Sequence, residues 1–388
     1  MWPKVTLKPG RDKSVLNRHP WIFSGAIDSR PDCEDGSLVR VYSADGTLLG
    51  AGYFNSRSSI SVRMLCFDER DPRQALRLSL ERAIELRREL IPAHTTALRL
   101  VNGEGDALPG LIVDRYDDVL VVQCGTLGLD KLKSEIVQAL VETINPRAIY
   151  EKSDLPSRRE EGLESSFGWL YGEKVGEVIV KENNLSFWVN IEAGQKTGFF
   201  LDQREMRKLI ADIAAGKSVL NCFCYTGAFS VYAARGGAHR VDSLDSSGSA
   251  LETARRNFEL NALDWRQHGF EEADVLRVLP QLRRNYDIVI LDPPAFAKKR
   301  LHVERACRGY LEINRQALRL IAAGGYMLSC SCSYYLAERL FQQILFQAAR
   351  DSGRFVRIIQ KHRRAVDHPV SVFHPEGDYL KSCLLQVE

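Results

Sequence analysis

Paired cysteine spacing is the first thing the sequence lacks. The chain has nine cysteines, an odd number, at Cys33, Cys66, Cys124, Cys222, Cys224, Cys307, Cys330, Cys332 and Cys383. None forms a C-x-x-C pair, and the two C-x-C pairs have no flanking histidines, so no metal is expected. Most sit in apolar, strand-like contexts, which favours reduced buried thiols over a disulfide framework. No apolar run approaches the roughly eighteen residues that a membrane span needs. Met1-Trp2-Pro3-Lys4 begins no secretory h-region, which makes the cytoplasm the expected location. An excess of one charge is also missing. The 53 Lys and Arg against 50 Asp and Glu leave a formal +3, too weak to require a nucleic-acid partner and silent about local patches. What is present is ordinary: 388 residues, 45% hydrophobic and 27% charged, room for two or three domains with real cores.

Residues 4 to 67 carry short β-rich runs, such as Leu38 to Tyr42 and Ile60 to Leu65, separated by turns such as Ala44-Asp45-Gly46. Between them Lys8, Arg11, Lys13, Arg18 and Trp21 mix cations with an aromatic. That pattern suits RNA, and a solvated turn is the plain alternative. Asp71 to Leu90 reads as an amphipathic helix in which Arg87 interrupts the apolar face, its stem lying along the face with the charge in water. Residues 97 to 190 alternate strands with the helix Leu129 to Thr143, a middle α+β region in which Ser157 to Glu164 reads as a solvated loop or short helix. From about Ile191 strands alternate with helices, the mark of a parallel doubly wound sheet. Phe355 to Lys361 and Tyr379 to Val387 end it as an antiparallel addition.

Signals at successive strand ends converge in this last region. Ser218 to Cys224 is followed by Tyr225-Thr226-Gly227 and a helical pattern. Arg240 to Leu244 ends on Asp245, Tyr286 to Leu291 ends on Asp292-Pro293-Pro294, and Gly325 to Leu328 runs into Ser329 to Ser333. In an open α/β sheet ligands bind beyond the carboxyl ends of the strands. The turn at Gly227 lacks G-x-G-x-x-G and a following lysine, so neither a pyrophosphate nor a P-loop fits. Close backbone approach at Gly227 and an acid at Asp245 suit a nucleoside without phosphates, with Asp245 taking the ribose hydroxyls. S-adenosylmethionine is the common one. Phe223, Tyr225, Thr226, Gly227, Asp245, Ser246, Asp274 and Asp292 are the expected cofactor residues. Asp274 would reach the adenine amino group, with helix capping as its alternative.

Gly194-Gln195-Lys196-Thr197-Gly198-Phe199-Phe200-Leu201-Asp202-Gln203-Arg204, Asn221 to Phe229, Asp292-Pro293-Pro294 and Ser331-Cys332-Ser333 together resemble bacterial RNA cytosine-C5 methyltransferases. The branch with an N-terminal PUA domain, acting on 23S ribosomal RNA, is the nearest. Lys8-Pro9-Gly10 with His19-Pro20-Trp21-Ile22-Phe23, and Glu151-Lys152-Ser153-Asp154 with Glu161-Gly162-Leu163, extend the resemblance over nearly the whole chain. It implies a multi-domain protein: a small β, PUA-like domain over 1–70, a middle α+β domain with its linking helix over 71–190, and an α/β Rossmann-like domain with a mostly parallel seven-stranded sheet over 191–388. It also implies that Asp202, Gln203 and Arg204 lie at the cofactor or target-base pocket. Gln203 is assigned to the cofactor, and Arg204, Phe296 and Lys298 to the RNA. The expected partner is 23S rRNA or a large-subunit precursor; a homodimer is left open.

The residue types also bear on which atom is methylated. An amino-group methyltransferase typically follows Asp-Pro-Pro with a stacking aromatic, whereas Ala295 stands here and Phe296 comes one position late. Cytosine C5 needs a thiolate at C6 before it becomes nucleophilic. Cys330 and Cys332, two apart on one strand, would share a face. Cys332 lies further toward the carboxyl end and is the preferred nucleophile, with Asp292 a candidate proton acceptor or base contact. A base-nitrogen methyltransferase of the same fold and a catalytically silent RNA-binding or ribosome-assembly factor are the competing readings.

Overall fold

The computed structural model describes residues 2–297 and 300–388, and Lys298, one of the expected RNA residues, lies outside the described residues. The chain divides into two compact units. The first comprises Met1–Glu182, Val189–Asp202 and Val366–Gly377, the second Asn183–Trp188, Gln203–Ala365 and Asp378–Glu388.

The first unit opens with β1 (Lys4–Leu7), β2 (Trp21–Phe23), β3 (Ile27–Ser29), β4 (Leu38–Tyr42), β5 (Leu48–Phe54) and β6 (Ile60–Cys66). They form one sheet in the order β2-β6-β5-β4-β1-β3. Alternate residues Val5, Leu7, Val39, Val41, Val62 and Met64 share one buried cluster, as the two-residue period of a strand requires. The helix Pro72–Leu90 follows, started by Asp71, whose side chain accepts from the Arg73 and Gln74 amides, and by Pro72 in its first turn, where a missing N–H costs nothing. A second sheet, β7 (Ala97–Asn102), β8 (Leu111–Tyr116), β9 (Val119–Cys124), β10 (Ala148–Ser153) and β11 (Ser166–Gly172), has the order β11-β10-β9-β8-β7. A two-stranded sheet of β12 (Glu177–Glu182) and β13 (Leu185–Asn190) comes next.

Two expectations are corrected in this unit. Arg87 does not lift its charge into water. It is 1% exposed, paired with both Asp106 oxygens at 2.6 and 2.8 Å, and donates to the Arg99 and Asp367 carbonyls. A buried guanidinium persists only when its donors are met in this way. The charged stretch Ser157 to Glu164 contains the short helix Pro156–Glu160, one of the two forms expected, and is solvated only in part. Arg158 and Glu161 are buried; Glu161 accepts from Asn55 and Arg63, and Arg158 donates to Asp130 and the Cys124 carbonyl. The returning segment Val366–Gly377 is knitted into the same network: Arg99 donates its amide to Asp367 and Asn102 its side-chain amide to the Pro369 carbonyl.

The second unit is built on β14 (Ser218–Cys222), β15 (Arg240–Asp245), β16 (Gly269–Glu272), β17 (Tyr286–Leu291), β18 (Ile321–Ser331), β19 (Val356–His362) and β20 (Lys381–Val387). Their order is β16-β15-β14-β17-β18-β20-β19, with β20 antiparallel to both neighbours and the first five strands parallel. This is the seven-stranded, mostly parallel sheet expected. Its central strands are apolar on both sides because helices cover both faces. Val219, Ile288, Ile290 and Leu328 pack on Met206, Ile210 and Phe229; Leu220, Val289, Leu291 and Met327 pack on Tyr310, Ile313 and Phe341.

Candidate active site

Strand register brings the expected residues to one edge. Cys222 of β14 pairs with Leu244 of β15 and Leu291 of β17, and Leu291 pairs with Ser329 of β18. The next residues along the four strands are therefore Phe223, Asp245, Asp292 and Cys330, at the carboxyl ends of adjacent parallel strands.

The loop after β14 turns sharply. Phe223, Tyr225 and Gly227 have φ of 62°, 49° and 73°. At Gly227 a Cβ would stand 2.7 Å from the Ala254 Cβ, so glycine serves both the left-handed conformation and helix packing. The Asp245 carboxylate holds the loop: one oxygen accepts from the Tyr225 amide at 2.8 Å, the other from the Ser247 amide at 3.0 Å. A carboxylate has about four lone-pair positions, so capacity remains for two ribose hydroxyls. Thr226 Oγ1 is buried without a hydrogen-bond partner in the structure. An acid with spare acceptor capacity, a strained loop and an orphaned hydroxyl suit the nucleoside of S-adenosylmethionine. Ser246, beside Asp245, is exposed. Asp274 does what its alternative reading foresaw: it caps the helix Val275–Val278 by accepting from the Leu276 amide at 3.0 Å, and pairs with Arg277.

At the other side of the edge, Gln203 Nε2 donates to Asp292 Oδ1 at 3.2 Å, and Gln203 is 2% exposed. The two cysteines have different surroundings. Cys330 is fully buried among Ile290, Leu328 and Leu384. Burial pushes its thiol well above the ordinary value, and the Asp292 charge adds to that. Cys332 is half-buried, and its Sγ lies 3.8 Å from the Pro293 carbonyl oxygen. Cys330 lies within β18, which ends at Ser331, and Cys332 is the first residue beyond it.

A hydrogen-bonded lattice that no sequence pattern signals fixes the Cys332 turn. Ser333 Oγ meets the Tyr310 hydroxyl at 3.0 Å and the Ala297 amide at 3.2 Å, and the Ser333 amide donates to Ser331 Oγ. Phe296, half-buried, packs its ring 4.6 Å from that of Tyr310 beside this lattice.

Residues 99–364 match the S-adenosylmethionine-dependent methyltransferase family, and residues 5–67 match a PUA-like domain. The chain is 43% identical over 394 residues to the ribosomal RNA large subunit methyltransferase I of Pseudoalteromonas atlantica, covering 100% of both. It belongs to that family. The protein of the same name from Shewanella denitrificans is 41% identical over 395 residues, covering 99% of both chains. Among solved structures, a protein assigned as a methyltransferase and complexed with SAH matches with a TM-score of 0.85 at 25% identity, covering 99% of both chains. One assigned as SAM-dependent, from Streptococcus mutans, matches in fold with a TM-score of 0.84 at 24% identity and the same coverage. The chain is thus an S-adenosylmethionine-dependent methyltransferase with an N-terminal PUA-like domain. Among the described residues no helix is long and apolar enough to cross a membrane.

The expected RNA residues of this family member divide. Lys8, Arg11, Lys13 and Arg18 are exposed. Trp21 is drawn inward: its indole N–H donates to Glu104 at 2.9 Å, and its ring meets His374 edge-on at 4.3 Å. Arg204 is 4% exposed. His19, His374 and Glu376 bring their side chains together. His19 Nδ1 accepts from the Trp21 amide, so Nε2 carries the proton of the neutral ring and offers an ion no lone pair.

Proposed function

We propose that the chain methylates C5 of a cytosine in 23S ribosomal RNA, as free RNA or in a large-subunit precursor, through a covalent bond from Cys332 to C6. The relatives named as large-subunit ribosomal RNA methyltransferases and the PUA-like match support the RNA substrate. One observation carries the chemistry: the less buried of the two edge cysteines lies against the Pro293 carbonyl, beyond Asp292. Ala295 follows Asp292-Pro293-Pro294, so the aromatic that would stack a base for amino-nitrogen transfer is missing from its usual place.

S-adenosylmethionine, when bound, supplies an electrophilic methyl on sulfonium. The Cys332 thiolate adds to C6, forming a carbon–sulfur bond and placing the electron pair of the former double bond at C5. That carbon would take the methyl, with S-adenosylhomocysteine as the leaving group. A base, Asp292 or water, then removes the C5 proton, and the C–H electrons restore the C5–C6 bond as the thiolate leaves. The Gln203 amide holds Asp292 at the edge. The exposure of Lys8, Arg11, Lys13 and Arg18 supports their meeting RNA phosphates.

Mapping 5-methylcytosine in rRNA from cells with and without the gene tests the product. RNA carrying 5-fluorocytosine should trap the enzyme covalently, since fluorine cannot leave as a proton does, and Cys332→Ala should neither form the adduct nor methylate while still binding cofactor. Full activity in Cys332→Ala would overturn the mechanism. A methylated base nitrogen would replace it with the alternative.

A further inference from the structure

We propose that Lys381 is a positioning residue for Cys332: its buried ammonium holds the thiol in the thiolate form that attacks C6. The inference rests on the proposed role of Cys332.

The sheet sets the juxtaposition. Lys381 is the first residue of β20 and pairs across the antiparallel ladder with Ser331, one residue before Cys332. It is 8% exposed. Its Nζ donates to the Ser333 carbonyl at 3.0 Å and the Tyr379 carbonyl at 2.8 Å, so it reaches the backbone one residue beyond Cys332. The remainder of β20, Ser382 to Val387, is apolar or small apart from Gln386. A lysine at the inner end of such a strand needs a reason, because burying an ammonium is costly unless an anion or several acceptors meet it. Among the described residues no carboxylate lies within ion-pair distance of it: the nearby Asp378 is paired with Arg363 and Arg364, and Glu338 with Lys361 and Arg363. Two neutral carbonyls take two of its three hydrogens and leave its charge unmatched. The anion within electrostatic reach that can appear on demand is the Cys332 thiolate.

Cys332 also needs such a cation. In the neutral form its S–H faces the Pro293 carbonyl, an arrangement that favours the thiol, and half-burial does the same. The Tyr310 hydroxyl is near enough to feel the Cys332 charge, yet burial pushes its own pKa up to about 12, so it stays neutral. Lys381, bonded to the carbonyl of the next residue along, is a cation placed to oppose the Pro293 carbonyl. Burial is the largest influence on Lys381 itself and holds its ammonium below the ordinary lysine value; Asp378, Cys332 and Glu338 favour the charged form, and Arg363 opposes it. The thiol proton passes to solvent; Lys381 keeps its own.

The test reads the thiol directly, without RNA. Intact enzyme is pulsed with iodoacetamide across a pH series, and alkylation of the Cys332 peptide is followed by mass spectrometry. Wild-type Cys332 should titrate below the ordinary thiol range of about 8.5. Lys381→Met should raise that midpoint by about one pH unit or more, the scale expected when an opposite charge within about 4–6 Å is removed. Lys381→Arg should restore most of the shift. S-adenosylmethionine binding checks that each variant is folded, and if Lys381→Met does not fold, the wild-type midpoint and the arginine variant decide. A wild-type midpoint at or above the ordinary range, or one unmoved in Lys381→Met, overturns the inference. Loss of methylation in Cys332→Ala alongside an unmoved midpoint would sink the role of Lys381 alone. Full methylation in Cys332→Ala would sink the nucleophile assignment.

Discussion

Replacing Asp245 by alanine should weaken S-adenosylmethionine binding about ten- to 150-fold. The carboxylate already accepts the Tyr225 and Ser247 amides, and its spare lone pairs face the end of the sheet where the nucleoside is expected. A hydrogen bond to a charged group contributes roughly 1.5–3 kcal/mol, which at about 1.4 kcal/mol per decade gives that range. The substitution also releases Tyr225, whose φ of 49° is held by its bond to Asp245, so weaker binding alone could come from loop collapse. A double-mutant cycle separates the two causes. Calorimetric affinities for S-adenosylhomocysteine and its 2′,3′-dideoxy analogue should differ strongly in the wild type and hardly at all in Asp245→Ala. If the gap between the two ligands is the same in both proteins, Asp245 does not hold the ribose. If the affinity for S-adenosylhomocysteine itself is unchanged, the assignment of the whole β15 end to the cofactor fails.

Neutralising Lys8, Arg11, Lys13 and Arg18 to glutamine should leave cofactor binding intact while RNA affinity falls and its salt dependence flattens, by up to about 0.7–0.9 in log–log slope for each phosphate no longer neutralised; an unchanged slope in a filter-binding titration would show that these cations are only solvated. Arg87→Leu should destabilise the protein by about 3–5 kcal/mol, because it strands the buried Asp106 carboxylate; the sharpest readout is urea denaturation, and a change under about 1 kcal/mol would mean that Asp106 finds water or another donor.

Much of the second unit is legible in the sequence because a parallel sheet writes a local code. Each of Ser218–Cys222, Arg240–Asp245 and Tyr286–Leu291 is a short run bounded by turn residues, and such strands must place their carboxyl ends side by side. Gly227, Asp245, Asp292 and Cys332 can therefore be brought to one edge by strand order alone. The edge strand β16, Gly-Phe-Glu-Glu, escapes that code because it has little apolar content and half of it faces water. Helix caps and ligand acids use the same residue type, which is why Asp274 supports two readings in the sequence and only the Leu276 amide shows what it accepts.

Long-range partnership is where the sequence is silent. Arg87, Arg158, Glu161 and Lys381 stand in it as ordinary charged letters, and charge in a linear pattern reads as solvent exposure. Their burial depends on groups up to 280 positions away, the separation between Arg87 and Asp367, and no periodicity encodes such a pairing. The same holds for Val366–Gly377, which leaves the second unit's chain to join the first, and for Trp21, whose indole is claimed by Glu104. Local propensity, strand period and turn chemistry determined the sheet and the points where its strands hand over to loops. Only the tertiary structure decided which charges are buried, since burial of a charge is settled by whether distant donors and acceptors meet it.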